Sequence, residues 1–249
     1  MPSRPRILLL DIETAPNRGY FWGLFKQDIS HHQVETSSYV LCWSAKWYDD
    51  KGVQFQSVQH QSAKKMLKPI HALLDEADVV VHYNGQKFDV PTLNKELVIH
   101  GFGPPSPYKQ IDLLHVVREV FRFESNKLDA VLQALKLGQK VEHRGFKLWI
   151  GCMAGDAGCW AEMTKYNKYD VIALQLLYDI VRPWIHNHPN LALYHDGRPV
   201  CPVCQSTHVQ RRGKEIARSR WYYRYQCRVP SCGKWFPGEL VDPKRKGKK

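Results

Sequence analysis

The sequence predicts an α/β fold in which helices flank a mixed β-sheet, followed by a much smaller cysteine-containing unit. Three observations carry this prediction. Residues 6–12, RILLLDI, form an apolar run that is typical of a buried strand. Residues 39–58 predict a hairpin, because an aromatic-rich stretch and an alternating stretch flank the turn sequence Asp49-Asp-Lys-Gly52. Several helical segments follow, and strands followed by helices indicate an α/β or mixed-sheet domain.

Periodicity and turn residues predict the remaining elements. Residues 62–75 have a helical pattern whose apolar side consists of Met66, Leu67, Ile70, Leu73 and Leu74. A second short buried strand is predicted at Val79–Val81. Further helices are predicted at 89–100, 111–120, 125–137 and 161–185, with a proline-rich loop at 101–107 and a poorly periodic stretch at 138–159.

The 249 residues are enough for one full core and a smaller second unit. We predict an α/β domain at 1–190, a linker at 191–199, a cysteine-containing unit at 200–238 and a basic tail at 239–249. The run of lysines and arginines near the end of the tail predicts disorder.

The net charge of +12 is distributed unevenly. Residues 198–249 hold 14 Lys/Arg and 3 Asp/Glu, a net charge of +11, whereas residues 1–197 hold 22 and 21, a net charge of +1. A basic appendage on a nearly neutral body indicates a polyanionic partner, most often nucleic acid. The alternative is a tail that only increases solubility.

The sequence gives no indication of a membrane protein. It has no run of 18 apolar residues, and the apolar ILLL near the start is too short for a signal peptide. We therefore expect a cytoplasmic location. In a reducing compartment, the seven cysteines are not expected to form a disulfide framework.

Five polar residues stand at positions where a ligand could bind. Asp11 and Glu13 are two apart on a strand, so their side chains point to the same face. Asp89 follows the strand at 79–81, and the ends of strands in α/β sheets are common ligand sites. Tyr166 and Asp170 are one turn apart on a helix. Taken singly, Asp11 and Glu13 also fit the end of a strand, and Asp89 also fits a helix N-cap. Tyr166 and Asp170 also fit a partly solvated helix face.

Together, the three motifs Asp11-Ile-Glu-Thr14, Asn84-Gly-Gln-Lys-Phe-Asp89 and Tyr166-Asn-Lys-Tyr-Asp170 resemble those of the DEDD 3′–5′ exonucleases. This family has an RNase H-like fold. A tyrosine four residues before the last aspartate matches the tyrosine subclass, because the histidine subclass carries histidine at the position of Lys165. The resemblance covers roughly residues 5–185, and it implies an RNase H-like mixed sheet.

The resemblance implies that Asp11, Glu13, Asp89 and Asp170 hold two catalytic ions, and that Tyr166 aligns the attacking water. Physical chemistry agrees. Converging carboxylates repel one another unless cations neutralise them. Hard oxygen ligands select Mg²⁺ or Mn²⁺, and two ions about 3.5–4 Å apart can stabilise both the attacking and the leaving oxygen of a phosphodiester.

Three further polar residues lie near these motifs. By the same resemblance, Thr14 is expected to contact the terminal nucleotide. Asn84 is expected to order the loop around Asp89 and is counted with the substrate-binding residues. Asp112 is predicted to be a helix N-cap rather than a further metal ligand.

The cysteine-containing unit has the spacing of a zinc site. Cys201 and Cys204 are separated by two residues, and Cys227 and Cys232 by four. Two such pairs predict a tetrahedral structural Zn²⁺ site with four thiolates. The alternatives are four unrelated buried cysteines, or a site in which His208 replaces one thiolate.

Residues 199–238 resemble the short zinc ribbons of insertion-element transposases, and a unit of this size is not expected to fold without its metal. Between the cysteine pairs, alternation predicts an arginine-containing face of Arg218, Arg220, Tyr222 and Arg224. The opposite face consists of Trp221, Tyr223 and Tyr225. Cations with adjacent aromatic rings suit phosphates and bases. We therefore assign nucleic-acid binding to Arg218, Arg220, Trp221, Tyr222 and Arg224.

The sequence thus predicts a two-metal-ion 3′–5′ exonuclease with a zinc ribbon that aids substrate binding, and it favours DNA over RNA. The alternatives are a structure-specific endonuclease of RNase H-like fold and a catalytically inactive nucleic-acid-binding adaptor. The ribbon could also bind a protein.

Overall fold

A computed structural model describes residues 4–138, 142–195, 199–217 and 220–241. The chain divides into two compact units, Arg6–Leu176 and Leu177–Lys249 together with Met1–Pro5. The strands are β1 (Ile7–Thr14), β2 (Arg18–Gly19), β3 (Val34–Thr36), β4 (Val40–Trp47), β5 (Gln54–Ser57), β6 (Val79–His82), β7 (Lys109–Asp112), β8 (Val209–Ala217), β9 (Arg220–Cys227) and β10 (Trp235–Leu240). The α-helices are α1 (Ala63–Glu76), α2 (Asp89–Ile99), α3 (Leu113–Val120), α4 (Leu128–Ala134), α5 (Phe146–Met153) and α6 (Ala157–Val181).

The first unit is built on a five-stranded sheet in the order β5-β4-β1-β6-β7. The central strand β1 pairs antiparallel with β4 and parallel with β6, and β6 pairs parallel with β7. Leu8, Leu9 and Leu10 are completely buried, which explains the uninterrupted apolar run of β1. The predicted α/β fold with a mixed, RNase H-like sheet is confirmed.

The two faces of β1 carry different groups. Leu8, Leu10 and Ile12 belong to a core cluster that includes the predicted apolar side of α1. Asp11 and Glu13 alternate with them and therefore point to the opposite face. A second cluster on that side joins Leu41 and Cys42 of β4 to residues of α5 and α6, including Tyr166. One face of β1 thus anchors the strand, and the other presents its two acids towards α6.

The predictions for 111–120 and 138–159 differ from the structure. Residues Ile111 and Asp112, predicted to start a helix, end the parallel strand β7 instead, and α3 begins at Leu113. Periodicity cannot distinguish a short buried strand from a helix start. The stretch 138–159 is poorly periodic and predicts no element, but its described part contains α5 and the first turn of α6. No helix in the described ranges is long and apolar enough to cross a membrane.

The second unit contains a three-stranded antiparallel sheet in the order β10-β9-β8. Its small core consists of Cys201, Val203, Tyr225, Cys227, Cys232 and Phe236. The chain before the cysteines packs within the same unit. Leu191, at the start of the predicted linker, is buried and its amide donates to the Pro202 carbonyl at 2.9 Å. Lys234 Nζ donates to the Ile185 carbonyl at 2.8 Å.

Candidate active site

Three carboxylates converge beside the central strand. One carboxylate oxygen from each of Asp11, Glu13 and Asp170 lies within 4.8 Å of the other two. The first two are delivered by the same face of β1, and the third comes from α6. Residues 159 positions apart in the sequence are therefore brought together by the packing of α6 on the sheet.

Asp89 lies next to this group but is held differently. It is the first residue of α2 and is almost completely buried. Its Oδ1 accepts a hydrogen bond from the Ile12 amide, between the two acids of β1, at 3.1 Å. The structure thus brings all four predicted acids together. Asp89 does not belong to the group of three whose carboxylate oxygens all lie within 4.8 Å of one another.

The acids strongly perturb one another. Burial raises the pKa of Asp11 well above its usual range, and the charges of Asp89, Asp170 and Glu13 raise it further. Burial also raises the pKa of Asp89 to about 7, although the Ile12 amide opposes this shift. Concentrated negative charge in a poorly solvated place favours protonated acids or bound cations. Because the donors are carboxylate oxygens, the set fits hard divalent ions such as Mg²⁺ or Mn²⁺.

Tyr166 is buried against the same group. Burial raises the pKa of its phenol above the usual value of 10, and the charges of Asp170, Glu13 and Asp11 add to this effect. The hydroxyl consequently remains protonated at neutral pH and can donate a hydrogen bond. One helical turn separates it from Asp170, as the spacing predicted.

Three residues near the acids were not predicted. Asn167 is fully buried and donates from Nδ2 to Asp11 Oδ2 at 2.6 Å, while its Oδ1 has no hydrogen-bond partner among the described residues. Trp149 Nε1 donates to Glu13 Oε2 at 3.1 Å. The His143 ring lies 4.9 Å from the Tyr166 ring and 5.3 Å from that of Trp149, measured between centroids.

A signal existed for only one of these three. Asn167 directly follows Tyr166 and lies three residues before Asp170, so it shares part of their helix face. His143 and Trp149 lie in the stretch without clear periodicity, and nothing in their local sequence indicated the contacts.

The loop before Asp89 is organised by Asp112. The amides of Asn84 and Gln86 donate to the two carboxylate oxygens of Asp112, at 2.8 and 3.2 Å. Oδ1 of Asp112 also accepts from the Leu114 amide at 3.0 Å, which confirms the predicted N-cap. Asn84 has a left-handed φ of 66°, and its carbonyl accepts from the Phe88 amide at 3.1 Å. Asn84 therefore orders this loop through its backbone.

Thr14 occupies the last position of β1. It is partly exposed and pairs with Val40 after a register shift that follows Glu13. The shift leaves Leu41 of β4 without an opposite residue on β1. Thr14 thus lies at the exit of the strand that carries Asp11 and Glu13.

The second unit contains a separate candidate metal site. Sulfur atoms of Cys201, Cys204, Cys227 and Cys232 all lie within 4.8 Å of one another. The distances are 3.7 Å between Cys201 and Cys232 and 3.6 Å between Cys204 and Cys227. Four converging thiols fit a tetrahedral ion that prefers sulfur, such as Zn²⁺. This supports the predicted ribbon.

The predicted binding face of the ribbon is only partly available. Arg220 is exposed and Trp221 is 53 % exposed, whereas Tyr222 is partly buried. Arg224 donates from Nε and Nη2 to the Arg212 carbonyl, at 3.3 and 3.1 Å, and its guanidinium lies 4.9 Å from the centre of the Trp235 ring. Arg218 and residues 242–249 of the basic tail lie outside the described residues.

Comparison with known proteins agrees with the geometry of the first unit. Residues 8–182 match the model of the RNase H superfamily. The chain therefore belongs to the RNase H superfamily. No curated protein matches the chain significantly.

The fold also resembles a solved structure, that of the family B DNA polymerase from the hyperthermophilic archaeon Pyrobaculum calidifontis. The TM-score is 0.56 at 18 % sequence identity, and the match covers 74 % of this chain. It covers 25 % of the polymerase, so this chain matches about a quarter of that protein.

Proposed function

We propose that the protein is a metal-dependent 3′–5′ exonuclease of the DEDD tyrosine subclass. The carrying observation is the convergence of Asp11, Glu13 and Asp170 within 4.8 Å, with Asp89 bonded to the same strand. Membership of the RNase H superfamily supports a nuclease. The tyrosine one turn before Asp170 supports the subclass and, with it, the exonuclease activity.

The four acids would hold two Mg²⁺ or Mn²⁺ ions. When bound, such ions neutralise the phosphate, promote ionisation of a water and stabilise the leaving oxygen. The protein's own contribution is to hold the ligands in place. Asn167 fixes one oxygen of Asp11, Trp149 fixes one oxygen of Glu13, and the Ile12 amide fixes Asp89.

Tyr166 would orient the attacking water. Its raised pKa makes proton abstraction by a phenolate ineffective at neutral pH, whereas the neutral hydroxyl, which is hydrogen-bonded to Asp170, would contact a water beside that carboxylate. Contacts between its ring and that of His143 restrict its rotation. Restricting a donor in this way increases the rate through orientation.

The ribbon would hold one structural Zn²⁺ on its four cysteines and bind nucleic acid through Arg220 and Trp221, both of them exposed. A second binding module on the same chain raises the local concentration of substrate at the first. The basic composition of residues 198–249 supports this role. The likeness to a DNA polymerase favours DNA over RNA as the substrate.

A time course on 5′-labelled single- and double-stranded DNA and RNA tests the proposal. With Mg²⁺ or Mn²⁺, the wild-type protein should shorten one of these substrates progressively from its 3′ end, and the chelated protein should not. A closed single-stranded circle should remain intact. Cutting of the circle would instead identify an endonuclease, and binding without any hydrolysis would identify an adaptor.

A further inference from the structure

The segment between β1 and β4 exposes an unusual group of apolar side chains. Phe21 is 52 % exposed, Trp22 100 %, Leu24 80 % and Phe25 85 %. We refer to these four residues as the apolar tip. Large apolar side chains clustered in solvent mark a binding surface more often than single exposed residues do.

The tip is carried by an ordered stem. Strands β2 and β3 pair, and the Tyr20 amide donates to the Gln33 carbonyl at 2.8 Å, while Gln33 Nε2 donates back to the Tyr20 carbonyl at 3.0 Å. Arg18 forms an ion pair with Glu35 at 2.7 Å. At Gly19 a Cβ would collide with the Gln33 carbonyl, so the two strands approach closely. The stem is thus a paired ribbon that ends in the tip.

The stem begins directly after the strand that carries Asp11 and Glu13. The amide of Ala15, two residues after Glu13, donates to the Tyr39 carbonyl at 2.9 Å. The Ser38 amide donates to Asn17 Oδ1 at 2.7 Å. Trp22 lies eight positions after Thr14, a stretch of chain that spans at most about 26 Å when extended. The distance from the acids to the tip is therefore no more than the length of a few nucleotides. A nucleic-acid strand whose 3′ end lies at the acids can reach the tip.

The chemistry of the tip suits unpaired bases. Three of its four side chains, Phe21, Trp22 and Phe25, are aromatic, and the exposed Lys26 follows them. Aromatic rings stack on bases of any sequence and a nearby cation attracts the phosphates, which is how proteins hold single strands. A duplex would hide the base faces that the rings require. Continuity with the acid cluster favours the substrate strand as the occupant over a partner protein.

We infer that the apolar tip stacks on unpaired bases of the substrate strand a few nucleotides from the acid cluster. The inference rests on the proposed function, and it makes single-stranded nucleic acid, or a frayed 3′ end, the preferred substrate. The tip is a substrate-positioning element: it determines which substrates bind, and the acids determine the chemistry.

A length series of substrates tests this inference. The double variant Trp22→Ala/Phe25→Ala is compared with wild type and with Ile99→Ala, an exposed apolar control on α2. Single-stranded oligonucleotides of about 2 to 12 nucleotides cover the range that one binding module contacts. The double variant should match wild type on the shortest and show a KM raised about tenfold or more on the longest. The control should follow wild type throughout.

Abasic substrates separate stacking from other causes. Oligonucleotides that lack bases a few positions from the 3′ end should bind wild type about tenfold more weakly than intact ones, whereas the double variant should bind both equally. The same affinity of variant and wild type for the long intact substrate would overturn the inference. So would loss of a wild-type dimer in the variant during sedimentation, because the tip would then contact a second copy.

Two further results keep the test interpretable. Trp22 is completely exposed, so Trp22→Ala alone serves if the double variant melts at a lower temperature than wild type. If wild type hydrolyses none of the oligonucleotides, the proposed nuclease function fails. If wild type hydrolyses them and the tip variants do so equally well, only the role of the tip is contradicted.

Discussion

The two candidate metal sites are built in opposite ways. The acids of the first unit come from β1, α2 and α6 and span residues 11–170. The cysteines of the second unit span only residues 201–232, and they come from the end of β9 and from the turns beside the three-stranded sheet. Both sites consist of negatively charged ligands. The acids lie beside a large apolar core, whereas the cysteines are themselves part of a small core.

The difference predicts how each unit depends on its metal. The strand that carries the acids is anchored by a large apolar cluster that includes Leu8, Leu10 and Ile12, so the first unit should fold without ions. Three of the six residues in the core of the second unit are the cysteines Cys201, Cys227 and Cys232. A core so small, and half composed of metal ligands, should require the ion for folding.

The largest effect is expected from loss of zinc. Cys227→Ser, or chelation of the wild-type protein, should unfold the ribbon, because structural zinc contributes about 10–16 kcal/mol of apparent binding free energy in small zinc domains. Hydrogen exchange should then become fast in β8 and β9, while β1 and β6 stay protected. Returning Zn²⁺ should restore the chelated wild type but not the variant. Slow hydrogen exchange in a zinc-free ribbon would show that the second unit, like the first, folds without its metal.

The next effect concerns the acids. Asp11→Asn should lower the rate of 3′-end hydrolysis by about 1,000-fold or more. The substitution removes a negatively charged metal ligand and so changes both the charge and the geometry of the site. Without added metal the variant should melt at least as high as wild type, because a buried and repelled carboxylate becomes neutral. Asp50→Asn, an exposed matched control, should change neither property. Near-normal hydrolysis by the Asp11 variant would show that Asp11 is not a ligand of the catalytic ions.

A smaller effect is expected at Tyr166. Tyr166→Phe removes the hydroxyl but keeps the ring against His143, so kcat should fall about 100-fold with little change in stability. Tyr178→Phe is the control, since this buried tyrosine of the same helix bonds to His188 instead. It should affect melting rather than kcat. Equal kcat values for Tyr166→Phe and wild type would show that the hydroxyl does not orient the water.

The smallest effect is expected at Trp149. Trp149→Phe removes the hydrogen bond to Glu13, worth about 1.5–3 kcal/mol for a charged acceptor, and part of the ring that packs near His143, so activity should fall about tenfold or more. The Mn²⁺ concentration for half-maximal rate should rise in parallel, because Glu13 is less well held. Trp184→Phe, at an exposed position, is the matched control. A lower rate with unchanged Mn²⁺ dependence would argue that Trp149 only packs.

Local geometry predicts which of the acids share a face, whereas the assignment of all four to one site comes from the resemblance to the DEDD exonucleases. Strand alternation aligns Asp11 with Glu13, and helix spacing aligns Tyr166 with Asp170. The same local rules predicted the buried face of α1 and the N-cap at Asp112. These features survive in the structure because tertiary packing reinforces them.

The contacts between distant segments could not be predicted in this way. The bond from Trp149 to Glu13 joins residues 136 positions apart, and its segment shows no clear period. Strand β7 is short and runs straight into α3, so its apolar residues look helical. The stem of the apolar tip consists of strands of two and three residues, too short for alternation to reveal.

Calorimetric titration of Mn²⁺ into the zinc-loaded protein tests most directly whether the converging acids form a metal site. Wild type and Asp50→Asn should bind Mn²⁺ with the same affinity and stoichiometry. Asp170→Asn should lose at least one of the ions or bind about tenfold or more weakly, because one of the three closest carboxylates is replaced. Binding of Mn²⁺ by Asp170→Asn that is indistinguishable from wild type would contradict the account.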